Sequence, residues 1–499
     1  MKTEPMNTDA RLPLKTKLGF GIGDLGGNLF FTIIGFYLLY FLTDVAVLAP
    51  ALAGTALMVG KIWDAITDPI VGYMSDRTTS RWGRRRPYIF YGSFVLWGSM
   101  AVMFFFPKTE QQLFLFIWAA LAYCLLNTAY TLVNIPYSAL LPELTRDYHQ
   151  RTVLAGYRMS FAVIGTFVGA AGVLPIVGMF RGERAGWTVM GFVMGAVMAV
   201  TALITFFTIR EPRGQALGET EGFIKSYRRA MTMKVFNLAL FPYIFHMTGV
   251  TIIQGALLYY FTYIYQAKAM FQVALLFLLA SSILFIPVWV LISKRIGKKH
   301  SYNIGMGLLI AVVIAFFMTA HLNPVWYSFI LLGIAGIGFS THYVMPHAIL
   351  PDVVEYDYAH HGIRREGVFY SLWTFSSKVG QALAIGLSGW ILSLFGYLPN
   401  VSQTEGALFG IRLLCGPVPG FFFLLGIIIL SRYPITREYY QRLQAMIAER
   451  ERVQQETDLA SRPGQQGGQQ GGQQESPQGG PREAGQAHSE DPRQSGPQK

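Results

Sequence analysis

Asp64 and Asp68 stand four residues apart in GKIWDAITDPIVGY, inside a run that is otherwise largely apolar. On a helix that spacing leaves the two carboxylates about 40° apart on one face. Two carboxylates so placed repel each other unless something positive lies between them. The physical choices are a bound Na⁺ or Li⁺ held by oxygen ligands, a proton shared by the pair, or a fixed basic partner. Lys378, in SLWTFSSKVGQAL, is the lone basic residue well inside another apolar run. A lysine that competes with a cation for two carboxylates is a coupling device, because the site is satisfied by either occupant and costly with neither. The bland alternative is a static ion-pair network that locks two parts of the fold together. Lys61 lies one turn before Asp64 and reaches either that carboxylate or the surface.

Other isolated polar groups are weighed in the same way. Arg158, in GYRMSFAVIG, either grips polar groups of a ligand or pairs with an acidic residue. Asp24, in GFGIGDLGGN, reads as a solvated or helix-capping carboxylate, and His246 as a satisfied core histidine. Tyr130, Tyr343 and Trp373 lie near the middle or inner part of apolar runs, where an aromatic ring either stacks on a sugar or packs against a neighbouring helix. Asp76, Arg84 and Arg85, with Asp352, Glu355, Arg364 and Arg365, sit at the ends of such runs and suit charge pairs that form and break between two moving halves.

The elements that must position these residues follow from composition. The chain has 499 residues, a mean hydropathy of +0.38, 52% hydrophobic residues and 14% charged ones, too apolar for a soluble fold of this length. Runs of twenty or more apolar residues recur, each long enough to cross roughly 30 Å of hydrocarbon at about 1.5 Å per residue. Such runs span as helices; a barrel strand shows only about ten residues of alternation. Twelve spans are expected, near 18–43, 51–75, 87–106, 112–140, 153–178, 187–208, 234–265, 270–293, 302–320, 325–350, 367–396 and 407–431. The fold class is therefore an all-α membrane protein.

Loop charge orients the chain. Loops after even-numbered spans carry nineteen Lys and Arg residues, whereas the alternate loops carry Lys108, Arg181, Arg184 and Lys268. An excess of that sign places both termini in the cytoplasm, and the first span, with no cleavage site before it, serves as its own insertion signal in a bacterial inner membrane. The formal charge of +12 is spent in these loops, which argues against nucleic-acid binding. Cys124 and Cys415 fall inside apolar runs and read as small core residues.

Two signatures recur with one period. SDRTTSRWGRRRP follows the second span and SKRIGKKHSY the eighth, so that Gly83 and Gly297 are 214 residues apart; IPYSALLPEL ends the fourth span and MPHAILPDV the tenth, with Pro142 and Pro351 209 apart. A six-plus-six duplication predicts this: a cytoplasmic stretch 1–17, bundles over 18–208 and 234–431, and a linker over 209–233. A cytoplasmic helix is expected over 432–452, followed by a Gln/Gly-rich tail over 453–499 that is too polar to bury a core.

KIWDAITDPIVGYMSDRTTSRWGRRRPYI, LPDVVEYDYAHHGIRREG, TFSSKVGQAL and GFGIGDLGGN with FLTDV resemble the glycoside, pentoside and hexuronide cation symporters, the melibiose-permease branch of the major facilitator superfamily, over about residues 15–440. The resemblance implies two pseudo-symmetric six-helix bundles around a central cavity. It implies Asp64 and Asp68 as cation ligands, with Thr131 and Thr67 beside them and Lys378 and Thr374 in coupling. It also implies Asn28, Asn134 and Arg158 at the substrate, the two asparagines standing where melibiose permease has carboxylates that grip sugar hydroxyls. The function so implied is Na⁺- or H⁺-coupled symport of a sugar or glycoside by alternating access, in a monomer, with no cofactor beyond the coupling ion. A lysophospholipid or other amphiphile is the alternative substrate, since Arg158 also matches an arginine of the lysophospholipid symporters of this branch. A non-transporting membrane sensor or scaffold is the alternative of another class. No nucleophile with its base, metal-ligand spacing or phosphate loop points to an enzyme.

Overall fold

A computed structural model describes residues 12–145, 148–210, 223–319, 324–362 and 366–460. Arg364, Arg365 and the tail beyond residue 460 lie outside them. Twelve long helical elements follow one another: α1 (Leu14–Val45), α2 (Pro50–Arg77), α3 (Arg86–Phe104), α4 (Gln112–Leu144), α5 (Tyr148–Gly178), α6 (Glu183–Thr208), α7 (Lys234–Ile264), α8 (Lys268–Ile296), α9 (Lys298–Thr319), α10 (Val325–His361), α11 (Glu366–Leu394) and α12 (Glu405–Leu430). A short linker helix, Phe223–Thr232, precedes α7, and a final helix, α13, covers Arg437–Ala460. By compactness the chain divides into Met1–Gln444, which holds all twelve spans, and Ala445–Lys499, whose described part is the last two thirds of α13.

Ten of the twelve are long and apolar enough to cross a membrane by length and composition. The two others, α2 and α11, have 28 and 29 residues but are diluted by the polar groups they carry, Lys61, Asp64 and Asp68 on one and Lys378 on the other.

Helix α1 is interrupted at Ile22, between Leu14–Gly21 and Gly23–Tyr40, and finishes in a π-helical turn, Phe41–Val45. Helix α7 finishes the same way, in Tyr260–Ile264. The two turns are 219 residues apart. Each is followed by a non-glycine residue in the left-handed region, Val47 (φ 59°) and Gln266 (φ 52°), again 219 apart. Gly83 (φ 107°) and Gly297 (φ 85°) likewise share a positive φ, as their matching loop motifs anticipate. The duplication is thus visible in backbone geometry as well as in composition.

At the end of the bundle that carries Asp44, the two halves are joined. Asp44 is buried and accepts hydrogen bonds from Thr43 at 2.6 Å, from Tyr397 at 2.7 and 2.8 Å, and from Tyr263. Tyr259 meets Thr43 at 2.6 Å, and the Asn400 amide donates to the Asp44 carbonyl at 2.6 Å. Lys268 pairs with Glu183 at 2.6 Å across the same divide. The described ion pairs at the opposite, Asp76 end stay within one half: Arg85 with Asp76 at 2.9 Å, and Lys298 with Asp352 at 2.7 Å. Of the expected gating charges, Asp76, Arg85 and Asp352 thus pair within their own half. The first pair spans the short loop between α2 and α3, and the second ties the start of α9 to α10 at the end away from the loop that connects them.

Candidate functional site

The approach of α2 to α11 sets the site. Gly54 and Gly389 face each other so closely that a Cβ on Gly389 would lie 2.3 Å from the Pro50 carbonyl oxygen and 2.7 Å from the Gly54 Cα. The Trp390 indole donates to the Thr55 hydroxyl at 3.0 Å beside this contact. The helices run antiparallel from there. Asp64 lies ten residues along α2 from Gly54, and Lys378 eleven back along α11 from Gly389, which is about 15 and 16 Å at the helical rise. The matched offsets bring the two side chains together.

Lys378 Nζ bridges both carboxylates, at 2.8 Å from Asp64 Oδ2 and 2.5 Å from Asp68 Oδ2. Lys61 Nζ adds a second ammonium at 3.0 Å from the same Asp64 oxygen. On the other side Thr131 of α4 donates to Asp64 Oδ1 at 3.2 Å or Asp68 Oδ1 at 3.0 Å. Thr131 and Asp64 are nearly inaccessible, at 1% and 2% exposed, whereas the Asp68 side chain keeps 15%. Pro69, directly after Asp68, removes a helical N–H and so releases the Ala65 carbonyl from its usual partner within the same turns. Thr67 turns instead to the Asp64 carbonyl, at 3.2 Å, and has no hydrogen bond to either carboxylate among those of the described residues. The cluster therefore gathers Asp64, Asp68, Thr131 and Lys378, and Lys61 takes the carboxylate of its two alternatives.

Both lysines line a central cavity of about 340 Å³ between the halves. Asn28, Tyr343 and Thr374 line it as well, so those expectations meet in one place. Asn134, Tyr130 and Trp373 do not. Tyr130 stacks on Phe30 with ring centroids 4.2 Å apart, and Trp373 on Tyr243 at 4.5 Å, so each backs a ring that faces the cavity. The side-chain amides of Gln254 and Gln381 also line the cavity; neither was singled out from sequence, because a glutamine in an apolar run carries no charge to draw notice.

Arg158 resolves to the pairing alternative. It binds Asp24 with two hydrogen bonds, Nε to Oδ2 at 2.6 Å and Nη2 to Oδ1 at 3.0 Å, under the rings of Tyr137 and Phe20. Asp24 is correspondingly buried, not solvated or capping a helix end. Its position beside the break at Ile22 brings α1 against α5, a neighbour the sequence does not specify. Asn28 donates to the Asp24 carbonyl at 2.9 Å, which fixes its amide with the oxygen left to bond elsewhere. His246 also departs from expectation: it is fully buried, stacked on His342 at 4.9 Å, and neither ring nitrogen has a hydrogen-bond partner among the described residues.

The chain has relatives among known proteins. The chain is 29% identical to the glucuronide carrier protein homolog of Escherichia coli, over 89% of this chain and 98% of that one. It is 27% identical to the sodium-dependent lysophosphatidylcholine symporter 1-A of Danio rerio, over 90% and 91%. Among solved structures, the nucleoside transporter NupG superposes with a TM-score of 0.60 at 14% identity, covering 84% of this chain and 99% of that one, which speaks for the fold alone. The sequence family described as MFS/sugar transport protein matches residues 19–437. The chain belongs to that family: it is a membrane transporter of the major facilitator fold, in the branch of glycoside, pentoside and hexuronide symporters.

Proposed function

We propose that this transporter is a symporter, moving a sugar or glycoside together with Na⁺ or H⁺ by alternating access, with the Asp76 end facing the cytoplasm. One observation carries the reading: a lysine from one half bridges two carboxylates from the other, at the wall of a cavity between them. A buried carboxylate pair needs a positive partner, and losing one partner of a buried pair costs about 3–5 kcal/mol. Lys378 fills that need while it pins α11 to α2. A cation seated on Asp64, Asp68 and Thr131 fills it equally well and frees Lys378, which loosens the contact between the halves. The exchange of occupants ties cation binding to the movement that alternating access requires.

A lysophospholipid is the second reading. An apolar chamber walled by residues such as Leu257, Val312 and Phe316 shares Phe36, Val250, Gln254 and Phe339 with the polar cavity, a juxtaposition that suits a polar head and an apolar chain.

Uptake of labelled methyl glycosides and lysophospholipids into proteoliposomes, with and without an imposed Na⁺ or proton gradient, separates the readings. Asp64→Asn and Asp68→Asn are each expected to abolish cation-driven accumulation with protein still in the membrane. Wild-type coupling in either variant overturns the symport reading, and a lipid-only signal moves the substrate to the second reading.

A further inference from the structure

The cavity's charges are all of one sign. Among the described residues lining it, the permanently charged side chains are Lys61 and Lys378, and no aspartate or glutamate lines it. The carboxylates that balance them stand behind, Asp64 almost inaccessible. Arg158, another basic group inside this half, is already matched by Asp24 in a two-point pair. The cluster itself counts two ammoniums and two carboxylates, joined by contacts of 3.0, 2.8 and 2.5 Å. It is neutral as it stands.

That balance constrains what accompanies a cation. Seating Na⁺ on the carboxylates, or protonating one of them, leaves the cluster with one excess positive charge beside a low-dielectric wall. An isolated charge there is strongly disfavoured. Sugar hydroxyls, and the amides of Asn28, Gln254 and Gln381, are neutral and cannot cancel it. A carboxylate or phosphate on the solute cancels it, and the ammonium that the cation displaces is on the cavity wall to receive it.

We infer that the solute carries one negative charge per coupling cation, that Lys61 and Lys378 read that charge, and that the pair crosses without net charge movement. This rests on the symport reading above. The recognising chemistry is one anionic group with no cation beside it, so one net negative charge, whether on a sugar acid or on an anionic lysophospholipid head. Lys61 sets the charge rule. With a neutral residue in its place the empty cluster carries one negative charge, cation loading brings it to neutrality, and a neutral solute becomes the better passenger.

The test uses the full-length protein in proteoliposomes, with an imposed Na⁺ or proton gradient and the membrane potential clamped by K⁺ and valinomycin. Methyl β-D-glucuronide and methyl β-D-glucoside share a ring and differ in charge; lysophosphatidylglycerol and lysophosphatidylcholine do the same for lipids. The expected result is at least tenfold greater accumulation of the anion within one of these pairs, changing by less than twofold between zero and negative-inside potential. Lys61→Met should lower anion uptake at least tenfold and shift the preference toward the neutral partner, while Lys61→Arg keeps the anion preference. Equal cation-driven accumulation of charged and neutral partners, or uptake driven strongly by potential, overturns this inference and leaves symport standing. If no solute in any arm responds to either cation gradient, the symport reading falls and takes this one with it.

Discussion

Thr131 contributes one hydroxyl proton to two carboxylates, so it satisfies Asp64 or Asp68 at any moment, and under the proposed symport its oxygen lone pairs are what it offers the cation. Thr131→Val retains the shape and removes the oxygen. The expected outcome is coupling-ion affinity weakened about tenfold, the scale of one lost hydrogen bond to a charged group, read as a rightward shift in the Na⁺ or proton dependence of uptake. Thr131→Ser should restore it; an unshifted ion dependence in the valine variant removes Thr131 from the cation site. Asp64, Asp68 and Lys378 were legible in the sequence because a charge in an apolar run is conspicuous and four-residue spacing fixes a shared face. Thr131 was legible through family resemblance, since hydroxyls are common in membrane helices and one more attracts no notice. The pairing of Arg158 with Asp24, 134 residues away, was open from sequence because it depends on which helices become neighbours. Tyr130 and Trp373 lie in the second layer, behind Phe30 and Tyr243, because apolar periodicity does not distinguish a ring that faces a cavity from one that backs it.

Helices α2 and α11 carry the site, and their glycines set how near they come. A Cβ at Gly389 meets backbone, the Pro50 oxygen at 2.3 Å, whereas a Cβ at Gly386 first meets the Met58 sulfur at 3.0 Å, on a flexible side chain. Gly389→Ala therefore forces the helices apart. The expected cost is about 1–3 kcal/mol, typical of overpacking, with a lowered Tm in detergent and loss of cation-driven uptake as Lys378 is drawn off the carboxylates. Gly386→Ala should be tolerated in both measurements; equal damage from the two substitutions contradicts this geometry. At this scale the twelve spans were legible from apolar runs, with ends displaced by several residues: α10, read as 325–350, continues to His361 through Pro346 and Pro351. The break at Ile22 and the two π-helical turns were not legible, because they change hydrogen-bond register without changing composition.

In the whole molecule the duplication does more than repeat a bundle. Asp44 and Tyr263 occupy the same position in the two π-helical turns, 219 residues apart, and they meet each other where the halves close. Asp44 is an acceptor in all of its described side-chain hydrogen bonds, so Asp44→Asn places a donor against donors and removes at least one bond. In a variant with Cys124 and Cys415 replaced by serine and Gln254 by cysteine, Asp44→Asn is expected to speed labelling by a membrane-impermeant maleimide from the Asp44 side severalfold. An unchanged rate shows that the network does not hold that end shut. If one cation takes the place of Lys378 on Asp64 and Asp68 for each solute carried, solute must bring cation in with it even when no gradient is imposed. Adding a transported solute to de-energised proteoliposomes should draw in one Na⁺ or proton per solute in the wild type and none in Asp64→Asn; solute entry without cation entry in the wild type contradicts the account.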